Sequence, residues 1–271
     1  VSDRNMLAVI EKLRIVVETI LVHGISKGPW KQRLEWLNRQ IGLLKENMGP
    51  FPSFSFALLA FGFRHAHFLT SDMYNEGLCN PKGNPWEIFE KAIKGSVPEL
   101  NNKSYSSEFT GIRILWDALD SEDKSLLILL SRFELSQSQI ARWFDKDRRR
   151  KSGLNIATMD IIENPYLIVE EDEPCVWETP INVETIDNGV FEDRAVQGDY
   201  VPVQPYRLDS RIDKRRIRAL IVSVLKRAAE EGDTLLSIFE LKERLEMLSI
   251  NKETEIPANI FQAYIDYFKE K

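Results

Sequence analysis

Apolar residues recur at three- and four-residue intervals along most of this chain, the period of an amphipathic α-helix. Met6, Leu7, Ile10, Leu13, Val16, Val17, Ile20 and Leu21 predict a helix over Asn5 to Val22, ended by Gly24. Leu34, Leu37, Ile41 and Leu44 predict a second over Trp30 to Met48, broken by Gly49-Pro50-Phe51-Pro52. Ser53 is placed to cap a third through Phe61, closed by Gly62. A helix is expected from Pro85 to Ile93, then a linker from Gly95 to Ser107 containing Pro98, Asn101 and Asn102. Thr110–Leu119, Ser121–Arg132 behind an Asp120 cap, a segment opening at Leu135 with Ile140, Trp143 and Phe144 on one face, and Ile156–Glu163 continue the pattern. Asn164-Pro165 stops it, because the residue before proline is pushed out of the α region.

From Tyr166 to Asp199 the helical period fades. Pro174, Pro180, Gly189 and Gly198 interrupt short β-rich pieces, so the expectation is extended connecting chain, with a composition that also allows an edge hairpin. The period returns over Asp213–Glu231, where Ile217, Leu220, Ile221, Val224, Leu225 and Ala228 form a stripe that Gly232 closes. Helices are expected at Ile238–Leu248 and from Pro257 to Phe268, the order of a helix-turn-helix or winged-helix module. The predicted fold is mainly α: helical modules, an extended acidic connector and a helix-turn-helix-like C-terminal module. The boundaries follow as residues 1–103, 104–166, 167–207 and 208–271.

Composition narrows the function classes. With 271 residues, 29% charged and 10% aromatic, the chain can bury a core and is neither disordered, collagen-like nor a coiled-coil rod. It has no run of about 18 apolar residues and no signal-peptide pattern, and its two cysteines suit a reducing compartment, so a cytoplasmic location and no membrane contact are expected. The net charge of −6 leans against nucleic acid until it is divided. Tyr166–Asp199 holds ten acids and one base, a local −9, which leaves the remainder at +3. Two basic runs stand out there: Arg142–Lys151, with six bases and two acids, and Arg211–Arg218, with five and one. Clustered bases are the footprint of phosphate binding; they also suit a solvated helix face or a helix C-terminus.

Catalytic motifs are missing. The chain lacks a Walker A loop, G-x-G-x-x-G, G-x-S-x-G, H-E-x-x-H and C-x-x-C, and Gly24 to Lys31 has the wrong spacing for a phosphate loop. His65 and His67 point about 200° apart on a helix and have no evident third ligand. Asp120, Glu122 and Asp123 fit ordinary acids at a helix start, and Cys79 has no neighbouring base. Phe51, Phe54, Phe56, Phe61, Phe63 and Phe68 carry helical spacing, which predicts core rather than base-stacking rings. Trp143 is expected to pack inward while the neighbouring arginines face water. The expectation is a non-catalytic chain without cofactor or metal.

Five further strings follow in a set order. Leu130-Ser-Arg-Phe-Glu-Leu135 leads through Asn164-Pro165-Tyr166 and Thr185-Ile-Asp-Asn-Gly-Val-Phe191 to Arg215-Arg-Ile-Arg-Ala219 and Glu230-Glu-Gly-Asp-Thr234. This order resembles the region upstream of the motor in RecD-like superfamily 1 DNA helicases, related to the exodeoxyribonuclease V alpha subunit, over about Leu119 to Leu245. The compact members of that family place a helix-hairpin-helix soon after the Asn-Pro-Tyr turn, where this chain has its acidic window, and the ATPase motor has no counterpart here.

The resemblance implies an accessory region of a larger helicase or helicase-nuclease system, with DNA and a motor domain or subunit as partners. On that reading Arg142, Lys146, Arg148, Arg149, Arg150, Lys151, Lys214, Arg215, Arg216 and Arg218 contact backbone phosphates without base specificity. The rival is an all-helical scaffold that docks a motor or nuclease subunit and never touches DNA, motivated by the acidic window.

Overall fold

In the computed structural model the described residues are 3–173, 179–191, 194–198, 200–248 and 250. Among them all the regular structure is helical, with one 3₁₀ turn at Ser104–Glu108, and no strand occurs. An antiparallel hairpin of α1 (Asp3–His23) and α2 (Trp30–Asn47) precedes α3 (Phe54–Phe61), α4 (Ala66–Asn75), α5 (Pro85–Ile93) and α6 (Pro98–Asn101). The middle of the chain is α7 (Phe109–Ala118), α8 (Ser121–Leu130), α9 (Gln137–Phe144), α10 (Lys146–Lys151) and α11 (Thr158–Glu163). Three short helices follow, α12 (Leu167–Glu171), α13 (Val183–Val190) and α14 (Arg194–Gln197), then α15 (Lys214–Glu230) and α16 (Ile238–Glu246).

Local chemistry explains most boundaries. Asn84 caps α5, and Asp120 caps α8 by accepting from the Asp123 amide at 2.7 Å. Ser136 with Gln139, and Ser237 with Glu240, form reciprocal capping boxes at the starts of α9 and α16. Gly62 and Gly232 close α3 and follow α15 with φ of +112° and +93°, which only glycine adopts without strain. Ser53 departs from expectation: its hydroxyl makes no cap bond and instead donates to the Leu135 carbonyl and accepts from the Leu135 amide, both at 3.0 Å. It thus joins α3 to the approach to α9.

Three expectations are corrected. Residues 95–107 are not a linker, because Leu100 and Tyr105 anchor α6 and the 3₁₀ turn in the core. The helix α4, absent from the sequence reading, buries Ala66, Leu69 and Met73 on one face. Between 167 and 197 the described residues are not an extended acidic connector but form α12, α13 and α14, whereas 200–207 form no helix or strand. Ile168 and Val169 of α12, and Val183, Ile186 and Val190 of α13, are buried, and their acids meet bases of other helices. The segment expected to be helical from Pro257 lies outside the described residues. The C-terminal module is therefore described as α15 packed against α16 across a turn.

One cluster of buried residues runs from Phe51 to Leu248. Its aromatic centre sets Phe54 and Phe89 edge-on to Trp86, whose ring stacks with Trp116 at 5.5 Å and whose indole N–H donates to Ser131; Phe89 is edge-on to Trp116 as well. Phe51, Phe54 and Phe63 are core, as their spacing predicts, whereas Phe56 and Phe68 are exposed. Gly189 of α13 lies so close to Phe133 that a Cβ would strike the ring and come within 2.9 Å of the Arg132 carbonyl. The α1–α2 hairpin joins this body through a separate small contact of Leu7, Met48 and Val196.

Candidate nucleic-acid interface

The first basic run spans the end of α9 and the whole of α10. Asp145 caps α10, accepting from the amides of Asp147 and Arg148, so the bases wind around a single helical turn and a half and point in different directions. Arg142 points inward and donates to Asp172 at 2.6 Å. Arg149 is only 3% exposed and donates to the Thr158 hydroxyl at 2.9 Å; burial pulls its guanidinium below the ordinary arginine range. Lys146 is held by Asp123 at 2.8 Å, with Asp120 at 3.8 Å, and that bond raises its ammonium above the usual lysine range. Arg148 and Arg150, with side chains 62% and 74% exposed, stand 3.8 and 3.9 Å from Asp145 and Asp147, and Lys151 is exposed.

In the second run Lys214 faces solvent, while Arg215 and Arg216 do not act as surface cations. Arg215 donates to the carbonyls of Glu163 (2.6 Å), Pro205 (3.1 Å) and Arg207 (3.1 Å) and to Asp213, tying α15 to the end of α11. Arg216 is 1% exposed; it grips both oxygens of Asp187 at 2.6 and 2.9 Å, donates to the Arg211 carbonyl and lies over the Phe191 ring. Arg218 is paired with Glu170 at 2.8 Å. The expectation that all ten bases share a phosphate-binding surface is thereby corrected for Arg142, Arg149, Arg215 and Arg216, whose guanidinium groups bond inside the protein. A buried guanidinium cannot reach a phosphate without stranding its partner, and a stranded buried charge costs several kcal/mol.

The acidic window answers these bases. Asp172 accepts from Arg142, the Trp143 indole (3.2 Å) and the Ile181 amide (2.8 Å). Asp187 accepts from Arg216 and from the Tyr166 hydroxyl at 2.7 Å, and Glu184 stands 3.5 Å from Arg227. Lys226 gathers three carbonyls, those of Val169, Glu170 and Asp172, at the exit of α12. The motif strings thus converge: the Asn-Pro-Tyr turn supplies Tyr166, the Ile-Asp-Asn-Gly string supplies Asp187 and Gly189, the Arg-Arg-Ile-Arg string supplies Arg216, and Phe133 receives Gly189. They build a buried knot, not an open site.

Lys146 and Arg218 are exposed but held at 2.8 Å by Asp123 and Glu170; the other exposed members of the set are Arg148, Arg150 and Lys151 near one end of α11 and Lys214 near the other. A cleft of 520 Å³ beside α10 and α11 brings Lys146 and Arg150 together with the carboxylates of Glu122 and Asp160, which oppose a phosphate. His65 pairs with Glu108 at 2.8 Å and His67 packs on Phe56; among the described residues no cluster of His, Cys, Asp or Glu is arranged to hold a metal. No helix of the described residues is long and apolar enough to cross a membrane.

Burial pushes the Glu170 carboxyl above the usual range, against the pull of Arg218. A carboxyl raised in the folded state favours folding while protonated, and that contribution is lost as pH climbs from the ordinary value of 4.5 through the raised one. Glu170→Gln should therefore gain stability relative to the parent between about pH 4 and pH 7, read from urea midpoints at both. An unchanged difference between the two proteins would contradict this.

No protein-family model matches the chain, and no solved structure matches it. It is similar to an uncharacterized protein of Methanocaldococcus jannaschii, 27% identical over 189 residues that cover 67% of this chain and 15% of the relative. The chain therefore spans a small part of the length of the curated relative it matches.

Proposed function

We propose that this chain is a non-catalytic helical accessory module of a RecD-like DNA helicase system, working by docking a motor or nuclease subunit rather than by gripping the nucleic-acid backbone. The observation that carries this is the internal cancellation of charge. The acids of the window pair with Arg142, Arg216, Arg218 and Arg227; of the ten candidate bases six are exposed, and two of these, Lys146 and Arg218, are held by carboxylates at 2.8 Å. The converging motif strings support a shared architecture with the RecD-like region, and a match that covers only 15% of a far longer archaeal protein suits an accessory module.

A second reading, DNA contact through Arg148, Arg150, Lys151 and Lys214, is favoured by their exposure at the two ends of one short helix. A salt titration with short duplex DNA separates the two. Ten phosphate contacts give a slope of log affinity against log salt near about −9, four near about −3.6, and docking alone gives no binding even at about 50 mM salt. The docking reading expects no binding. A slope of about −3.6 that vanishes on reversing the four charges would replace it with the second reading, and a steeper one would mean that the inward arginines reach phosphate.

A further inference from the structure

Arg149 is the most buried residue of the 520 Å³ cleft beside α10 and α11, with 3% of its surface open. Its Nη2 donates to Thr158, but its Nη1 is buried and has no hydrogen-bond partner among the described residues. Arg142 and Arg216 each meet an aspartate, whereas no carboxylate of the described residues forms an ion pair with Arg149. The two nearest in charge are engaged elsewhere: Asp123 holds Lys146, and Asp145 accepts from two amides at the start of α10. Arg149 is thus a guanidinium taken out of water with half of its fork unanswered.

The rest of the lining divides into two kinds. Leu154, Ile156 and Met159 supply apolar wall, and Glu122, Arg150 and Asp160 are exposed charges. The volume falls within the range of small-molecule sites, about 300–1,000 Å³, where a few polar groups orient a mostly apolar ligand. Because Nη1 is buried, a ligand has to push lining side chains aside to reach it. Arg150 and Met159 are long and exposed, and they can swing away without opening the core.

We propose that this cleft binds a carboxylate carried on a short apolar body, with Arg149 Nη1 donating to the carboxylate and Leu154, Ile156 and Met159 against the body. The buried, uncompensated guanidinium selects an anion, because a carboxylate both neutralises it and makes a charge-assisted bond. A neutral carbonyl would supply the bond and leave the charge unanswered. A phosphate monoester would bring a second negative charge toward Glu122 and Asp160, neither of which has an ion pair among the described residues. The carboxylate can belong to a free organic acid or to the last residue of a partner chain, since the same chemistry holds both.

The test titrates the full chain, at constant ionic strength, with isovalerate and with acetyl-Gly-Gly-Leu bearing a free terminal carboxylate. Isopentyl alcohol, the same peptide as its amide, and inorganic phosphate are the controls, and amide shifts in proton–nitrogen NMR spectra are the readout. At least one acid should shift the amides of residues 149–160 saturably, with every control weaker by about tenfold or more. Tighter binding of the peptide acid assigns the carboxylate to a chain end, and tighter binding of isovalerate assigns it to a free acid; both sustain the site. Arg149→Met should lose about tenfold or more of the affinity without a lower melting temperature, since it removes a buried charge and strands only the Thr158 hydroxyl. E122Q/D160N, at exposed positions, should bring phosphate up toward the acids, which keeps the test readable if Arg149→Met does not fold. No saturable shift with either acid, equal binding of an acid and its uncharged counterpart, a preference for phosphate in the parent chain, or unchanged binding by Arg149→Met would each overturn the proposal.

Discussion

Replacing Asp187 with alanine is expected to cost the fold about 3–5 kcal/mol, because it leaves Arg216 charged, buried and without its bidentate partner. The same change removes the acceptor of the Tyr166 hydroxyl, a phenol that burial holds well above its ordinary pKa of 10. Urea denaturation gives the measurement, and a loss under about 1 kcal/mol would mean that the pair behaves like an exposed one. Removing the whole polar knot is a different experiment. The combination D187L/R216M/Y166F leaves no stranded charge and should recover most of the loss, since a buried ion pair gains little over apolar side chains of similar volume. The knot then specifies how α13, α15 and the Asn-Pro-Tyr turn fit together more than it adds to stability.

Asp172→Ala should be comparably severe, about 3–5 kcal/mol, through a different set of partners. Asp172 is almost wholly buried and accepts from a guanidinium, an indole N–H and a backbone amide, so its loss disconnects α9 from the exit of α12 and both from the approach to α13. Asp172→Asn keeps the size but turns one acceptor into a donor aimed at a donor. It should recover little, whereas pairing Asp172→Asn with Arg142→Gln removes the charge mismatch and should recover part. If Asp172→Ala melts within about 1 kcal/mol of the parent, solvent serves these donors and the acidic window is not internal counter-charge.

The helices were legible because their signals are local. The Asp120 cap, the Gly62 and Gly232 ends and the stripe of α15 each depend on neighbours a few residues away, and the structure reproduces them. The acidic window was misread because its order depends on distant residues: Asp172 meets Arg142 thirty positions back, and Asp187 meets Arg216 twenty-nine ahead. A signal was nonetheless present. Asp187 occupies the same helical face as Val183, Ile186 and Val190, and Arg216 sits beside Ile217 on the apolar stripe of α15. An acid on one apolar face and a base on another announce a buried pair, and that rule would have withdrawn Arg216 from the phosphate-binding set. Arg149 gave no such warning, since nothing in Arg148-Arg149-Arg150 distinguishes the member that turns inward.

Lys226 sets a chemical consequence apart from these energies. Its side-chain nitrogen donates to three carbonyl oxygens at the end of α12, and those bonds hold it against the backbone and away from an electrophile. An acylating reagent that marks Lys151 and Lys214 at once would reach Lys226 only in molecules whose α12–α15 contact had already opened. Its acylation would therefore act as a clock for that opening, running inside a protein that otherwise looks unchanged.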